Sequence, residues 1–228
     1  MQDQTFPAPP AFGWRLCFVL IVAISISACG GGGGGPGPQL QNLPPAAIPS
    51  IVAPVVETLP RLSAAPTTLA LHTDIGTPAW PDGSSATGGA GQPVAGINCM
   101  PPAHAHSHTH ITLLRDGVQL ALPANIGMQG CIYELHTHDE SGVVHVEVQP
   151  GATANLGQFF AVWGRPLARD NVAGITGLPL TVFLIDDGKV VKYEGDLAAI
   201  ELKPRRDIAL VFGEVPAGLP SYLWDPSL

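Results

Sequence analysis

The stretch from Cys131 to Val148, CIYELHTHDESGVVHVEV, constrains the fold more than any other part of the chain. Residue types alternate on both sides of a short polar segment, Asp139-Glu140-Ser141-Gly142. Side chains of a strand point to opposite faces in turn, so this pattern reads as a β-hairpin. Tyr133 and Leu135 share one face with Val144, Val146 and Val148. Glu134, His136 and His138 share the other with His145 and Glu147. A turn centred on Glu140-Ser141 sets His136 opposite His145, Glu134 opposite Glu147 and His138 opposite Val143. Directly opposed residues keep their Cβ atoms about 4.5–5.5 Å apart. Three imidazoles are therefore expected to converge on one patch while the apolar face enters the core.

Seven of the eight histidines lie between positions 104 and 145. Four of them, His104, His106, His108 and His110, alternate with small residues and point the same way in an extended chain. Neutral imidazole is a good ligand for Zn²⁺ and Cu²⁺, and the bland alternative is a solvated polar leader. The expected metal ligands are His136, His138 and His145. The leader captures or hands over the ion, and His110, where it enters the sheet, delivers either a fourth ligand or the whole tract to this patch. Asp139, Glu134 and Glu147 are expected to orient the imidazoles as acceptors behind the ligands. The same three histidines with an open position would also suit a catalytic zinc, with Glu134 or Glu147 as the base. A third reading is a surface binding module using Trp80, Tyr222 and Trp224. The residues lean toward binding without catalysis, and His72 reads as a solvated side chain.

Asp116-Gly117 between Ile111–Arg115 and Val118–Leu122 is a strong type I′ hairpin signal, pairing Leu113 with Leu120 and Ile111 with Leu122. Asp187-Gly188 repeats it between two further apolar runs, and residues 208–212 read as a last strand. Asn155 and Gln158 form a capping box before Leu156, Phe159, Phe160 and Trp163, which share one helix face. Gly164 and Pro166 end that helix. The expected fold is mainly β with one short helix (α+β), built as two small antiparallel hairpin units of β-grasp-like type. These units cover 97–170 and 171–228, with the tail packed back over the sheet. Cys99 and Cys131 are expected to pair in a disulfide. A copper–thiolate site of Cys131 with Met100 or Met128 is disfavoured, because Cys131 faces away from the histidines.

The N-terminal part is of a different kind. Leu16–Ala28 is an apolar run too short for a comfortable membrane span of about 20 residues, and its length suits a secretory signal. Ile26-Ser27-Ala28-Cys29 resembles a bacterial lipobox, which implies a signal peptide over 1–28, a lipidated Cys29 and a place in the cell envelope. The residue after Cys29 is not acidic, which favours the outer membrane. Residues 29–96, with six glycines after Cys29 and many prolines, read as a flexible tether, although local structure around 48–62 stays open. The net charge is −8, with only ten Lys and Arg and no basic run. That argues against nucleic acid as a partner and is compatible with a metal cation; no protein partner is indicated.

HTHD at 136–139, GVVHVE at 142–147 and LGQFF…WG at 156–164 resemble a group of secreted or membrane-anchored prokaryotic proteins that share these phrases. The resemblance covers about residues 99–166 and implies no particular activity.

Overall fold

The structure, a computed structural model, describes residues 58–85, 88–101 and 104–228. The expected signal, the lipidated Cys29 and the glycine run lie outside the described residues. The described residues belong to one compact unit. Its centre is an eight-stranded mixed sheet: β1 (Thr77–Pro78), β2 (Ser107–Arg115), β3 (Val118–Ala121), β4 (Leu135–His136), β5 (Val143–Val146), β6 (Leu180–Asp186), β7 (Lys189–Tyr193) and β8 (Asp207–Phe212). One helix, α1 (Leu156–Trp163), packs against it.

The strands run in the order β7-β6-β8-β2-β3-β1. The two Asp-Gly hairpins, β2-β3 and β6-β7, are antiparallel, and β8 lies between them, antiparallel to β6 and parallel to β2. Asp116 and Gly117 have φ of 49° and 78°, and Asp187 and Gly188 have 50° and 76°. These are the paired positive values that a type I′ turn requires. The Leu113–Leu120 pairing is as expected. Strand β2 divides its other edge: its C-terminal residues pair with β3, while Ser107–His110 pair antiparallel with β5. Beyond β5 lies β4.

Alternation along these strands sorts the two faces. Ile111 and Leu113 of β2, Leu135 of β4 and Val144 and Val146 of β5 face one way, into the main core with Leu156, Phe159, Phe160 and Trp163 of α1. The other face grades along its length. One end is apolar, with Leu114, Phe183, Ala209 and Val211. Its middle holds His110, Thr112 and Asp207, and its far end holds the remaining β-strand histidines.

Helix α1 starts as its sequence implies. The Asn155 side chain accepts from the Gln158 N–H at 2.9 Å, and the Gln158 side chain accepts from the Asn155 N–H at 3.0 Å. Gly164 ends the helix in the left-handed region with φ 68°. Asn155→Ala removes one arm of this box and is expected to cost about 1 kcal/mol, read as a lower urea midpoint at unchanged slope.

Two expectations on organisation differ from the structure. The tether read over 29–96 carries ordered pairing from residue 61 on. Arg61–Leu62 runs parallel to Gly218–Leu219, Thr67–Leu69 runs parallel to Tyr222–Trp224, and β1 runs parallel to β3. Leu69 and Leu219 are fully buried. Segments of two or three residues have too few side chains to show a period, so proline and glycine content is the stronger signal in that part of the sequence. The two expected hairpin units, 97–170 and 171–228, share one sheet. The strand that unites them is β8, whose apolar residues on both faces are buried.

The Cys99–Cys131 disulfide is present, which removes Cys131 from any thiolate site with Met100 or Met128. It ties the segment leading into β2 to the segment leading into β4. The tail returns over the sheet: the Tyr222 hydroxyl accepts from Gln119 Nε2 at 2.7 Å and from the Thr112 hydroxyl at 3.1 Å.

Candidate metal centre

Three adjacent strands place three imidazoles in one row. In register, His108 of β2 faces His145 of β5, and His145 faces His136 of β4. The ring centroids are 4.4 Å apart for His108 and His145 and 4.9 Å apart for His145 and His136. His106, two residues before His108, and His138, two residues after His136, flank the row on the same side. The result is two groups of three ligand-bearing side chains. His106, His108 and His145 form one, His136, His138 and His145 the other, and in each the ligand atoms lie within 4.8 Å of one another. Either group could hold a metal ion.

The closest nitrogens suit that use. His136 Nε2 and His138 Nε2 are 3.2 Å apart, and His106 Nε2 and His145 Nδ1 are 3.1 Å apart. Tetrahedral zinc with Zn–N bonds of about 2.0–2.1 Å spaces its ligand nitrogens about 3.3 Å apart. His136 is fixed in orientation because its Nδ1–H donates to the Tyr133 carbonyl at 2.8 Å. That leaves the Nε2 lone pair toward His138, the arrangement by which an outer acceptor fixes the tautomer of a ligating histidine. His108 Nε2 is buried and has no hydrogen-bond partner among the described residues. An orphaned buried polar atom is costly, and an ion would satisfy it.

Burial sets the charge state of the row. His108 and His136 are each pushed down to about 4, and His145 to about 2, in every case first by removal from water and then, among other contributions, by the neighbouring imidazoles. Neutral rings at pH 7 keep a lone pair for a cation. The sign for stability follows. The unfolded chain takes up these protons near pH 6.5, whereas the metal-free folded chain takes them up only at lower pH, so U binds more protons than N in between. Metal-free protein is therefore expected to hold its full stability above about pH 6.5 and to lose it progressively toward pH 4. Urea midpoints at pH 7.5, 6 and 5 in the presence of a chelator check this.

The expected accessory carboxylates divide. Glu147 Oε1 lies 3.2 Å from His106 Nε2 and 3.6 Å from His145 Nδ1, and its Oε2 lies 3.2 Å from His104 Nε2. Glu134 is buried, and its Oε2 accepts from the Asn98 N–H at 2.9 Å. Asp139 accepts from the Ser141 N–H and from the His72 N–H, so it shapes the β4–β5 turn. His72 thus has a backbone role, while its residue is exposed as expected.

His110 is placed elsewhere. Its Nδ1 is 2.7 Å from Asp207 Oδ1 and its Nε2 is 2.9 Å from the Ser141 carbonyl. Both ring nitrogens are engaged inside the sheet and the residue is fully buried, so His110 does not supply the expected fourth ligand. Its neighbour Gly142 has φ 87°, and a Cβ there would come within 2.7 Å of His110 Nε2.

No protein-family model, curated protein or solved structure matches this chain. The chemistry of the site therefore rests on its geometry.

The leader does reach the patch, as one of the two expected arrangements has it, and it forms a second group there with His145, whose membership the sequence alone does not specify. Its signal lies in the pairing of Ser107–His110 with Val143–Val146, a contact between segments more than 30 residues apart. Trp80, offered as an exposed aromatic, packs edge-on against Trp163 at 5.3 Å and donates from Nε1 to the Ala173 carbonyl. It closes the core over α1.

Proposed function

We propose that this chain is a metal-binding protein of the cell envelope, carried on a lipid at Cys29, that takes up Zn²⁺ or Cu²⁺ through His136, His138 and His145 together with the leader histidines His104, His106 and His108. The observation that carries the reading is the pair of three-imidazole groups with ligand atoms within 4.8 Å. Imidazole-only donors select borderline ions over Ca²⁺ or Mg²⁺, which prefer oxygen. The lipobox-like Ile26-Ser27-Ala28-Cys29 supports the envelope placement.

Binding is favoured over hydrolysis by the carboxylates. A general base must stand within reach of metal-bound water. Glu134 is engaged with the Asn98 backbone, and Glu147 sits among the leader imidazoles.

Elemental analysis of purified protein and titration with Zn²⁺ and Cu²⁺ test the proposal. Retention of Zn²⁺ or Cu²⁺ through gel filtration is expected, with no retention of Ca²⁺ or Mg²⁺. His136→Ala combined with His138→Ala should lose part of the bound metal, and His104→Ala combined with His106→Ala should lose another part. Protein that retains neither ion refutes the reading.

A further inference from the structure

His145 belongs to both imidazole groups. Its Nδ1 lies on the leader side, 3.1 Å from His106 Nε2 and 3.6 Å from Glu147 Oε1. Its ring stacks on His106 at 5.2 Å and 26° and on His136 at 4.9 Å and 21°. An imidazole carries two ring nitrogens, and each can ligate. An ion held at Nδ1 leaves the Nε2 of the same ring available as a ligand, and the ring centroids of His136 and His138 lie 4.9 and 4.5 Å from its own.

We infer that the centre is dinuclear, with two divalent ions bridged by the imidazolate of His145. The inference rests on the metal-binding reading above. The leader-side ion has four ligands: His106, His108 through its unpartnered Nε2, His145 Nδ1 and Glu147. The other ion has three, namely His136 Nε2, His138 Nε2 and His145 Nε2. Its fourth position opens to solvent beside the exposed His138. The inner ion is the closed, structural one and the outer ion the exchangeable one.

The charge and proton balance is simple. A metal–nitrogen bond forms at each nitrogen of His145, the ring's one N–H proton leaves to the buffer, and nothing is oxidised or reduced. Two dications in a partly buried patch repel each other. The imidazolate between them and the Glu147 carboxylate beside the inner one supply compensating negative charge.

The test uses the full chain with Cu²⁺ alone as the probe. Bound copper is measured by elemental analysis and unpaired spin by low-temperature electron paramagnetic resonance. Two copper ions per chain are expected at saturation. The spin signal should rise over the first equivalent and fall over the second, because an imidazolate bridge pairs the two spins. His106→Ala and His138→Ala alter exposed rings at little cost to the core. Each should hold one copper ion at full signal. Loading Zn²⁺ first and Cu²⁺ second should also give the full signal of one copper ion. One ion per chain at saturation, or two with the full signal of both, overturns the bridge while leaving the metal-binding reading in place. Protein that retains no copper or zinc overturns both.

Discussion

His145→Ala is expected to weaken metal binding on both sides of the row at once, by at least about 100-fold. Loss of a group that merely orients a ligand already costs 10–100-fold, and this substitution removes a ligand common to both groups. The effect is readable as thermal stability. A ligand present at about 1,000 times its Kd stabilises the folded state by about 4 kcal/mol, equivalent to roughly 8–16 °C for a domain of this size. A 100-fold loss of affinity at the same concentration lowers that to about 1.4 kcal/mol. Differential scanning fluorimetry with and without Zn²⁺ gives both numbers. Single alanines at His106 or His138 should keep part of the parent's shift, since each belongs to one group. An unchanged shift in His145→Ala would place the ion elsewhere.

The second large effect concerns Cys99 and Cys131. Their bond closes a separation of 32 residues, which the chain-entropy model values at about 3–4 kcal/mol. Cys99→Ser combined with Cys131→Ser is expected to lose that amount in urea melts, whether or not metal is present. The loop so closed carries the whole leader and the β2-β3 hairpin. Releasing it should also weaken metal binding, because His104 and His106 lose the tie that holds them beside Glu147. If metal affinity stays at the parent value, β2 alone positions the leader.

The centre was legible where local pattern decides structure. The hairpin register that opposes His136 and His145 follows from period-two alternation and a polar turn, and it is the register observed. The helix was equally legible, since a capping box and four apolar residues at helical spacing act within one short segment. Contacts between distant strands were not. His110 shares the parity of His104, His106 and His108, so the sequence places all four on one face. What withdraws it is Asp207 on β8, a strand nearly 100 residues later that lies parallel to β2. The pairing of residues 61–78 was hidden for a similar reason: the partners of those short segments are in the tail and in β3, and backbone hydrogen bonds leave no imprint on hydropathy.

The His110–Asp207 contact has a consequence for how the chain finds its alignment. The leader reads as histidine at every second position, so sliding it two residues along β5 would return a near-identical face and leave the side-chain parity unchanged. Such a repeat is a poor ruler. His110 alone of the leader histidines lies between Asp207 on one edge of its ring and the Ser141 carbonyl on the other. Those two contacts break the degeneracy and fix which imidazoles come to rest beside His145. The histidine held by Asp207 thus acts as the index mark that lets the others be interchangeable in sequence yet distinct in place.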